Sequence, residues 1–115
     1  MGDIPLDAVL LDRDGVLNHN RPDHVTSVDQ WRWLPGAVAG CRALAEMGLR
    51  LGVITNQAAV GRGLLSTTEL ERIHRHMVAD LLAAGVPRPT VMYCPHLPDE
   101  GCECRKPKAG LLRRV

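Results

Sequence analysis

Two carboxylates stand two residues apart directly after a short apolar run near the start of the chain. Asp12 and Asp14 follow Ala8 to Leu11, and Gly15 allows the chain to turn sharply after them. Mg²⁺ prefers oxygen ligands, so an acid pair at this spacing can share one ion. The metal would neutralise phosphate charge, Asp12 could attack phosphorus, and Asp14 could transfer the proton. The same pattern also occurs in ordinary turns, so its meaning depends on the rest of the chain.

Further polar side chains follow two later parts of the chain. Thr55 and Asn56 come directly after the apolar run from Leu49 to Ile54, and their hydroxyl and amide groups can donate hydrogen bonds to a phosphoryl oxygen. A polar turn after a strand is the ordinary alternative. Lys106 would act as a point charge on the phosphoryl group, and Arg105 offers a fork suited to a second phosphate or to sugar oxygens. These groups indicate binding of a phosphorylated substrate.

A cluster of thiols and one imidazole lies near the C-terminus. Cys94, His96, Cys102 and Cys104 fall within eleven positions. Three cysteines and one histidine make a closed tetrahedral Zn²⁺ site, which is structural because no position remains for water or substrate. The alternative is a loop with free thiols. Cys41 lies among apolar residues of a predicted helix and is expected in the core.

The order of predicted elements is typical of a single α/β domain over residues 1–115. The elements are strand Ala8 to Leu11, helix Gly36 to Met47, strand Leu49 to Ile54, a helix that begins after Ser66 and ends before Gly85, and strand Thr90 to Tyr93. Alternating strands and helices predict a parallel sheet with right-handed crossovers. Because ligands of such sheets bind beyond the C-terminal strand ends, Asp12 and Thr55 should meet at one edge.

The connection from Gly15 to Pro35 is much longer than usual and is therefore expected to be a lid or binding loop. Trp31 and Trp33 near its end are predicted to cover the core. Four histidines have no partner at ligand spacing and are expected on the surface or in the lid. They are His19, His24, His74 and His76.

The composition excludes several function classes. The formal net charge is +1 and aromatic residues make up 3% of the chain, which argues against a nucleic-acid partner. No apolar run is long enough for a membrane span, so no membrane partner is expected. The first seven residues lack the layout of a signal peptide, which favours the cytoplasm. In that compartment the four cysteines are expected to be metal ligands or core residues rather than disulfides.

Taken in order, the motifs resemble one branch of the haloacid dehalogenase superfamily, the heptose bisphosphate phosphatases and the related histidinol-phosphate phosphatases. The motifs that carry the resemblance are Asp12-Arg13-Asp14-Gly15, Thr55-Asn56-Gln57, Cys94-Pro95-His96 and Cys102-Glu103-Cys104-Arg105-Lys106-Pro107. The resemblance covers nearly the whole chain. The segment from Gly61 to Gly63 is more similar to the heptose members.

This resemblance implies a Rossmann-like fold and a Mg²⁺-dependent phosphomonoester hydrolase. Asp12 would be the nucleophile and Asp14 the general acid/base, with Mg²⁺ bound by the Asp12 carboxylate and the Asp14 backbone carbonyl. The phosphoryl group would be held by Thr55, Asn56 and Lys106, the substrate would be recognised by Arg105, and zinc would be bound by Cys94, His96, Cys102 and Cys104. The implied substrate is D-glycero-D-manno-heptose 1,7-bisphosphate, which loses its 7-phosphate. Histidinol phosphate or another small phosphomonoester is the alternative within this class.

The family carries a further acidic motif and further strands beyond the position that corresponds to Val115. The chain is therefore interpreted as truncated at its C-terminus, with an open sheet edge beside Ala8 to Leu11. A second copy or a partner protein is expected to cover that edge. The alternative from another functional class is a catalytically weak domain that binds phosphosugars or a protein.

Overall fold

The computed structural model describes residues 8–21 and 24–94, which form a three-stranded parallel sheet with helices in the crossovers. The strands are β1 (Ala8–Asp12), β2 (Arg50–Asn56) and β3 (Thr90–Cys94), in the spatial order β1-β2-β3. The predicted parallel α/β architecture is confirmed for this part of the chain. The zinc-ligand loop and the proposed truncation fall in residues 95–115, outside the described residues.

Strand β2 is the central strand, and its sequence explains why. Residues 51–55 are all buried, which is typical of a parallel strand that is covered on both faces. The strand continues two residues beyond the predicted end at Ile54, so Thr55 and Asn56 belong to it. Its pairing with β1 places Asp12 opposite Ile54, and its pairing with β3 places Asn56 opposite Cys94.

Both predicted helices are present. Helix α1 (Ala37–Glu46) ends before Gly48, whose φ of 84° suits the left-handed position after a helix. A four-residue helix, α2 (Ala58–Gly61), follows β2 and was not predicted. Helix α3 (Thr67–Ala83) is capped by Ser66, whose side chain accepts a hydrogen bond from the backbone N–H of Glu69 at 3.0 Å.

Helix α3 supplies the largest share of the core that covers one face of the sheet. Its buried side chains are Leu70, Ile73, His74, Met77, Val78 and Leu81. Leu82 near the end of the same helix is 42% exposed. Val9, Leu11, Leu51 and Val53 of the sheet belong to the same core cluster. Because side chains alternate along a strand, the odd-numbered residues of β1 and β2 face the helices.

The long connection between β1 and α1 is packed against this core. It contains a short 3₁₀ helix (Val28–Gln30), and it buries Leu17, Val25 and Trp31. Trp33 is half-buried against the same cluster, and its ring meets that of Trp31 edge to face at 5.1 Å. The prediction that both tryptophans cover the core is confirmed. Trp33 also donates from Nε1 to Asp80 Oδ2 at 2.7 Å, which ties the connection to α3.

Among the described residues, β1 pairs with β2 alone, and Leu10 on β1 is 40% exposed. In the same part of the chain, no helix is long and apolar enough to cross a membrane.

We expect replacement of Trp33 by phenylalanine to loosen the long connection, because the ring would still pack while the hydrogen bond to Asp80 is lost. The free energy of unfolding should fall by about 1 kcal/mol, as measured by urea denaturation. Asp80→Asn keeps an acceptor oxygen and should cost less. In a double-mutant cycle of Trp33→Phe with Asp80→Ala, strictly additive losses would contradict this link.

Candidate active site

Of the predicted site residues, Asp12, Asp14, Thr55 and Asn56 lie at or just after the C-terminal ends of β1 and β2. Asp12 is the last residue of β1 and is exposed, whereas Thr55 near the end of β2 is 2% exposed. Thr55 Oγ1 lies 3.3 Å from Asp14 Oδ2, so the second acid and the hydroxyl are in contact, whereas the sequence predicted a meeting of Asp12 with Thr55. By strand alternation, Asp12 and Asn56 belong to the opposite face of the sheet at the same edge.

The Asp14 carboxylate is the most heavily hydrogen-bonded group of the site. Its Oδ1 atom accepts from Arg13 Nη2 at 2.7 Å, from Arg13 Nε at 3.2 Å and from Asn18 Nδ2 at 2.9 Å. Its Oδ2 atom accepts from Gln57 Nε2 at 2.9 Å and from Thr55 Oγ1 at 3.3 Å. Five donors therefore hold one side chain in a single orientation.

These donors also set the charge state of Asp14. Burial by itself raises the pKa of this carboxyl group, but the Arg13 guanidinium and the hydrogen bonds from Asn18, Arg13 and Gln57 outweigh it, so the pKa lies below its ordinary value. Asp14 is consequently ionised at neutral pH in this arrangement.

Arg13 was not singled out by the sequence, yet it is the centre of the network. Its side chain is 1% exposed, and Nη1 lies 3.0 Å from His74 Nε2. The guanidinium carbon stands 5.7 Å from the centroid of the Trp31 ring, within cation–π range. Burial lowers the pKa of Arg13 and the neighbouring Asp14 offsets part of that effect, but an arginine keeps its proton in proteins.

The expectation that His74 lies on the surface or in the lid is wrong, because the side chain is 7% exposed and belongs to the buried face of α3. Arginine can only donate, so His74 Nε2 must be the acceptor and the ring is neutral with its proton on Nδ1. Burial, followed by the positive charge of Arg13, lowers the pKa of His74 to about 3. The spacing of four from Leu70 and three from Met77 would have indicated this buried position.

The sequence identifies Gln57 only as a member of the Thr55-Asn56-Gln57 motif. In the structure its side chain binds Asp14 and Thr55, and its backbone binds Cys94. Its side chain is 3% exposed and donates to both Asp14 and Thr55, at 2.9 and 2.7 Å. Its backbone N–H donates to the carbonyl oxygen of Cys94 at 2.7 Å, which links the end of β3 to the site. Asn18, equally unnoticed in the sequence, is fully buried beside Asp14.

Of the predicted zinc ligands, only Cys94 falls in the described part of the chain, where it is buried at the end of β3. His96, Cys102 and Cys104 lie outside the described residues, as do Arg105 and Lys106. Within residues 8–21 and 24–94, no three potential metal ligands cluster together. Cys41 is buried in the core cluster, as predicted.

The buried neutral imidazole makes stability depend on pH. In the unfolded chain His74 takes up a proton below its ordinary pKa of about 6.5, whereas the folded protein keeps it neutral down to about 3. The unfolded state therefore binds more protons in this interval, and the free energy of unfolding falls as the pH falls. Between pH 7.5 and 5.5 we expect a loss of about 1 kcal/mol from this residue. Urea denaturation should show a steeper pH dependence for the wild type than for His74→Gln, and equal slopes would contradict the prediction.

No protein-family model matches the chain. The chain is 38% identical over 107 residues to D-glycero-beta-D-manno-heptose-1,7-bisphosphate 7-phosphatase of Pseudomonas putida, covering 93% of this chain and 61% of the relative. It is 40% identical over 105 residues to the corresponding alpha-anomer phosphatase of Mycobacterium tuberculosis, covering 90% of this chain and 55% of the relative.

A solved structure shows the same likeness in three dimensions. The crystal structure of D,D-heptose 1,7-bisphosphate phosphatase from Bordetella bronchiseptica, complexed with magnesium and phosphate, superposes with a TM-score of 0.89 at 38% identity. The superposition covers 94% of this chain and 60% of the other, so the chain spans about three-fifths of the proteins it matches. The chain is thus a relative, in both sequence and fold, of the heptose bisphosphate 7-phosphatases, as its motifs predict.

Proposed function

We propose that the chain is a phosphomonoester hydrolase that removes the 7-phosphate of D-glycero-D-manno-heptose 1,7-bisphosphate through an aspartyl-phosphate intermediate. The observation that carries the proposal is the contact between Asp14 and Thr55 at the sheet edge where β1 ends in Asp12, in a chain 36–40% identical to phosphatases named for this reaction. An exposed carboxylate beside a rigidly held one suits two different tasks.

The first step forms one bond and breaks another. A carboxylate oxygen of Asp12 attacks phosphorus, and the bond between phosphorus and the sugar oxygen breaks. The leaving oxygen takes a proton from Asp14 and departs as the sugar hydroxyl. In the second step Asp14 takes a proton from water, the water oxygen attacks phosphorus, and Asp12 is released together with inorganic phosphate.

The hydrogen bonds to Asp14 favour its role as a base in the second step and oppose its role as an acid in the first step. Its carboxylate is held in the ionised form by Arg13, Asn18 and Gln57, which is the form that a general base requires. To act as the acid in the first step, Asp14 must first be protonated, and the same donors oppose protonation. We therefore expect movement away from some of these donors when substrate arrives, since the catalytic geometry of acids and bases often tightens only in the complex.

The residues present fit a Mg²⁺ ion. The Asp12 carboxylate is exposed at the strand end, and hard oxygen ligands of this kind suit the cation. The carboxylate oxygens of Asp14 already accept five hydrogen bonds, so its backbone carbonyl is the atom of this residue that suits the metal. When bound, the ion would neutralise phosphate charge so that an anionic nucleophile can approach.

The phosphoryl group would be held by Thr55, Asn56 and Lys106, with Arg105 reading the sugar or the second phosphate. Thr55 Oγ1 accepts from Gln57 at 2.7 Å, which leaves its own proton to aim at either Asp14 or a phosphoryl oxygen. Histidinol phosphate remains the alternative substrate, and binding of a phosphosugar without turnover is the alternative function. A second copy or another protein at the open edge of β1 remains part of the proposal.

Activity should depend on both Mg²⁺ and Asp12. We expect phosphate release from the heptose bisphosphate to require added Mg²⁺ and to fall to about one-thousandth or less in Asp12→Asn, which removes the nucleophile while keeping its shape. Both anomers and histidinol phosphate should be assayed alongside.

Preferred release from histidinol phosphate would replace the proposed substrate. No release from any ester, together with calorimetric binding of the heptose bisphosphate, would leave a binding domain in place of the enzyme.

A structural Zn²⁺ ion, bound by Cys94, His96, Cys102 and Cys104, is also part of the proposal. It is supported by the residue types and spacing alone. Elemental analysis of purified protein should give about one zinc per chain, and Cys102→Ser should reduce both the zinc content and the midpoint of thermal unfolding. Cys41→Ser, which changes a core thiol outside the cluster, should leave the zinc content unchanged. Equal zinc content in both variants would contradict this assignment.

A further inference from the structure

The guanidinium group of Arg13 divides its nitrogens between two partners. Nε and Nη2 both point at one oxygen of Asp14, at 3.2 and 2.7 Å, while Nη1 meets His74 Nε2 at 3.0 Å. A guanidinium is planar, so a contact on one side fixes the direction of the others. The position of His74 therefore restricts the angle at which Arg13 meets Asp14.

We propose that His74 is a positioning residue, which accepts a hydrogen bond from Arg13 and thereby aims that guanidinium at the Asp14 carboxylate. The inference rests on the proposed function, because the value of a fixed Asp14 lies in its proton transfers. His74 is hydrogen-bonded to Arg13, and Arg13 in turn donates to Asp14, so the effect of His74 is transmitted by Arg13.

Burial makes the contact necessary. Arg13 is 1% exposed and His74 is 7% exposed, so water cannot easily replace either partner. A buried N–H without an acceptor is strongly disfavoured, and a guanidinium that lost its acceptor at Nη1 would turn to find another. Such a turn would move Nε and Nη2 away from Asp14 Oδ1.

The acceptor at position 74 must be neutral as well as correctly placed. The ion pair joins a buried Arg13 to a partly buried Asp14 with balanced charges, and the neutral imidazole adds an acceptor without adding charge. A carboxylate at position 74 would compete with Asp14 for the guanidinium, whereas a protonated histidine could not accept at all. A neutral side chain with an acceptor atom at its end is thus the type that suits this position.

The backbone that carries His74 is a rigid one. Leu70, Ile73 and Met77, which surround it on α3, are each fully buried. The Tyr93 ring of β3 lies 5.9 Å from the imidazole, centroid to centroid. The helix and the sheet together keep the acceptor in place, as a residue that orients a catalytic group requires.

The test compares His74→Leu, which has no acceptor, with His74→Gln, whose side-chain oxygen can accept from Arg13. Steady-state phosphate release should show kcat about tenfold or more lower in His74→Leu, with KM changed much less, and substantial recovery in His74→Gln. His76→Gln, on the exposed side of the same helix, is the matched control and should keep the wild-type kcat. A wild-type kcat in His74→Leu, or equal losses in the leucine and glutamine variants, would overturn the proposal.

A second measurement separates this inference from the proposed function. Side-chain NMR of the wild-type chain should show His74 neutral, with the proton on Nδ1. The Arg13 Nε–H and Asp14 carboxyl resonances should shift in His74→Leu but stay near their wild-type positions in His74→Gln and His76→Gln. If the wild-type chain releases no phosphate, the proposed function fails while these resonances still decide whether His74 orients Arg13. Unmoved resonances in a folded His74→Leu variant would overturn the positioning role by themselves.

Discussion

The ion pair between the buried Arg13 and the partly buried Asp14 is the interaction on which the rest of the site depends. Arg13 can be buried only because Asp14, His74 and the Trp31 ring together replace its hydration. These partners come from the end of β1, from α3 and from the connection between β1 and α1. A single charge thus requires three separate parts of the chain to pack in one arrangement, and that arrangement holds the carboxylate that the proposed reaction uses.

The sheet and the longer helices could be predicted because their signals are local. The apolar run of β2 and the cap at Ser66 with the apolar stripe of α3 appear directly in the sequence, and the observed bounds differ by one or two residues. The four-residue α2 and the 3₁₀ helix are too short to leave a periodic signal. The direction of the Arg13 side chain is set by tertiary packing, which leaves no local signal in the sequence.

The active-site residues also divide into those that local sequence signals predict and those whose contacts depend on tertiary packing. Asp12 and Thr55 could be placed at one sheet edge from the sequence because they lie at the C-terminal ends of neighbouring parallel strands, but the contact of Thr55 with Asp14 was not predicted. Asn18 and Gln57 bind Asp14 through contacts that depend on how the chain turns after each strand. His74 has no partner at ligand spacing, which predicts a surface position, whereas its place on the apolar face of α3 indicates burial. Burial of a polar residue on such a face indicates a partner within the core.

The backbone hydrogen bond between Gln57 and Cys94 links the proposed zinc site to the proposed magnesium site. Gln57 holds Asp14 with its side-chain amide, while its main-chain N–H is held by the carbonyl of the residue proposed as the first zinc ligand. A displacement of the end of β3 acts directly on the backbone of Gln57, the residue whose side-chain amide steadies Asp14. The position of Cys94 at the end of β3 and the orientation of Asp14 are therefore mechanically coupled through Gln57.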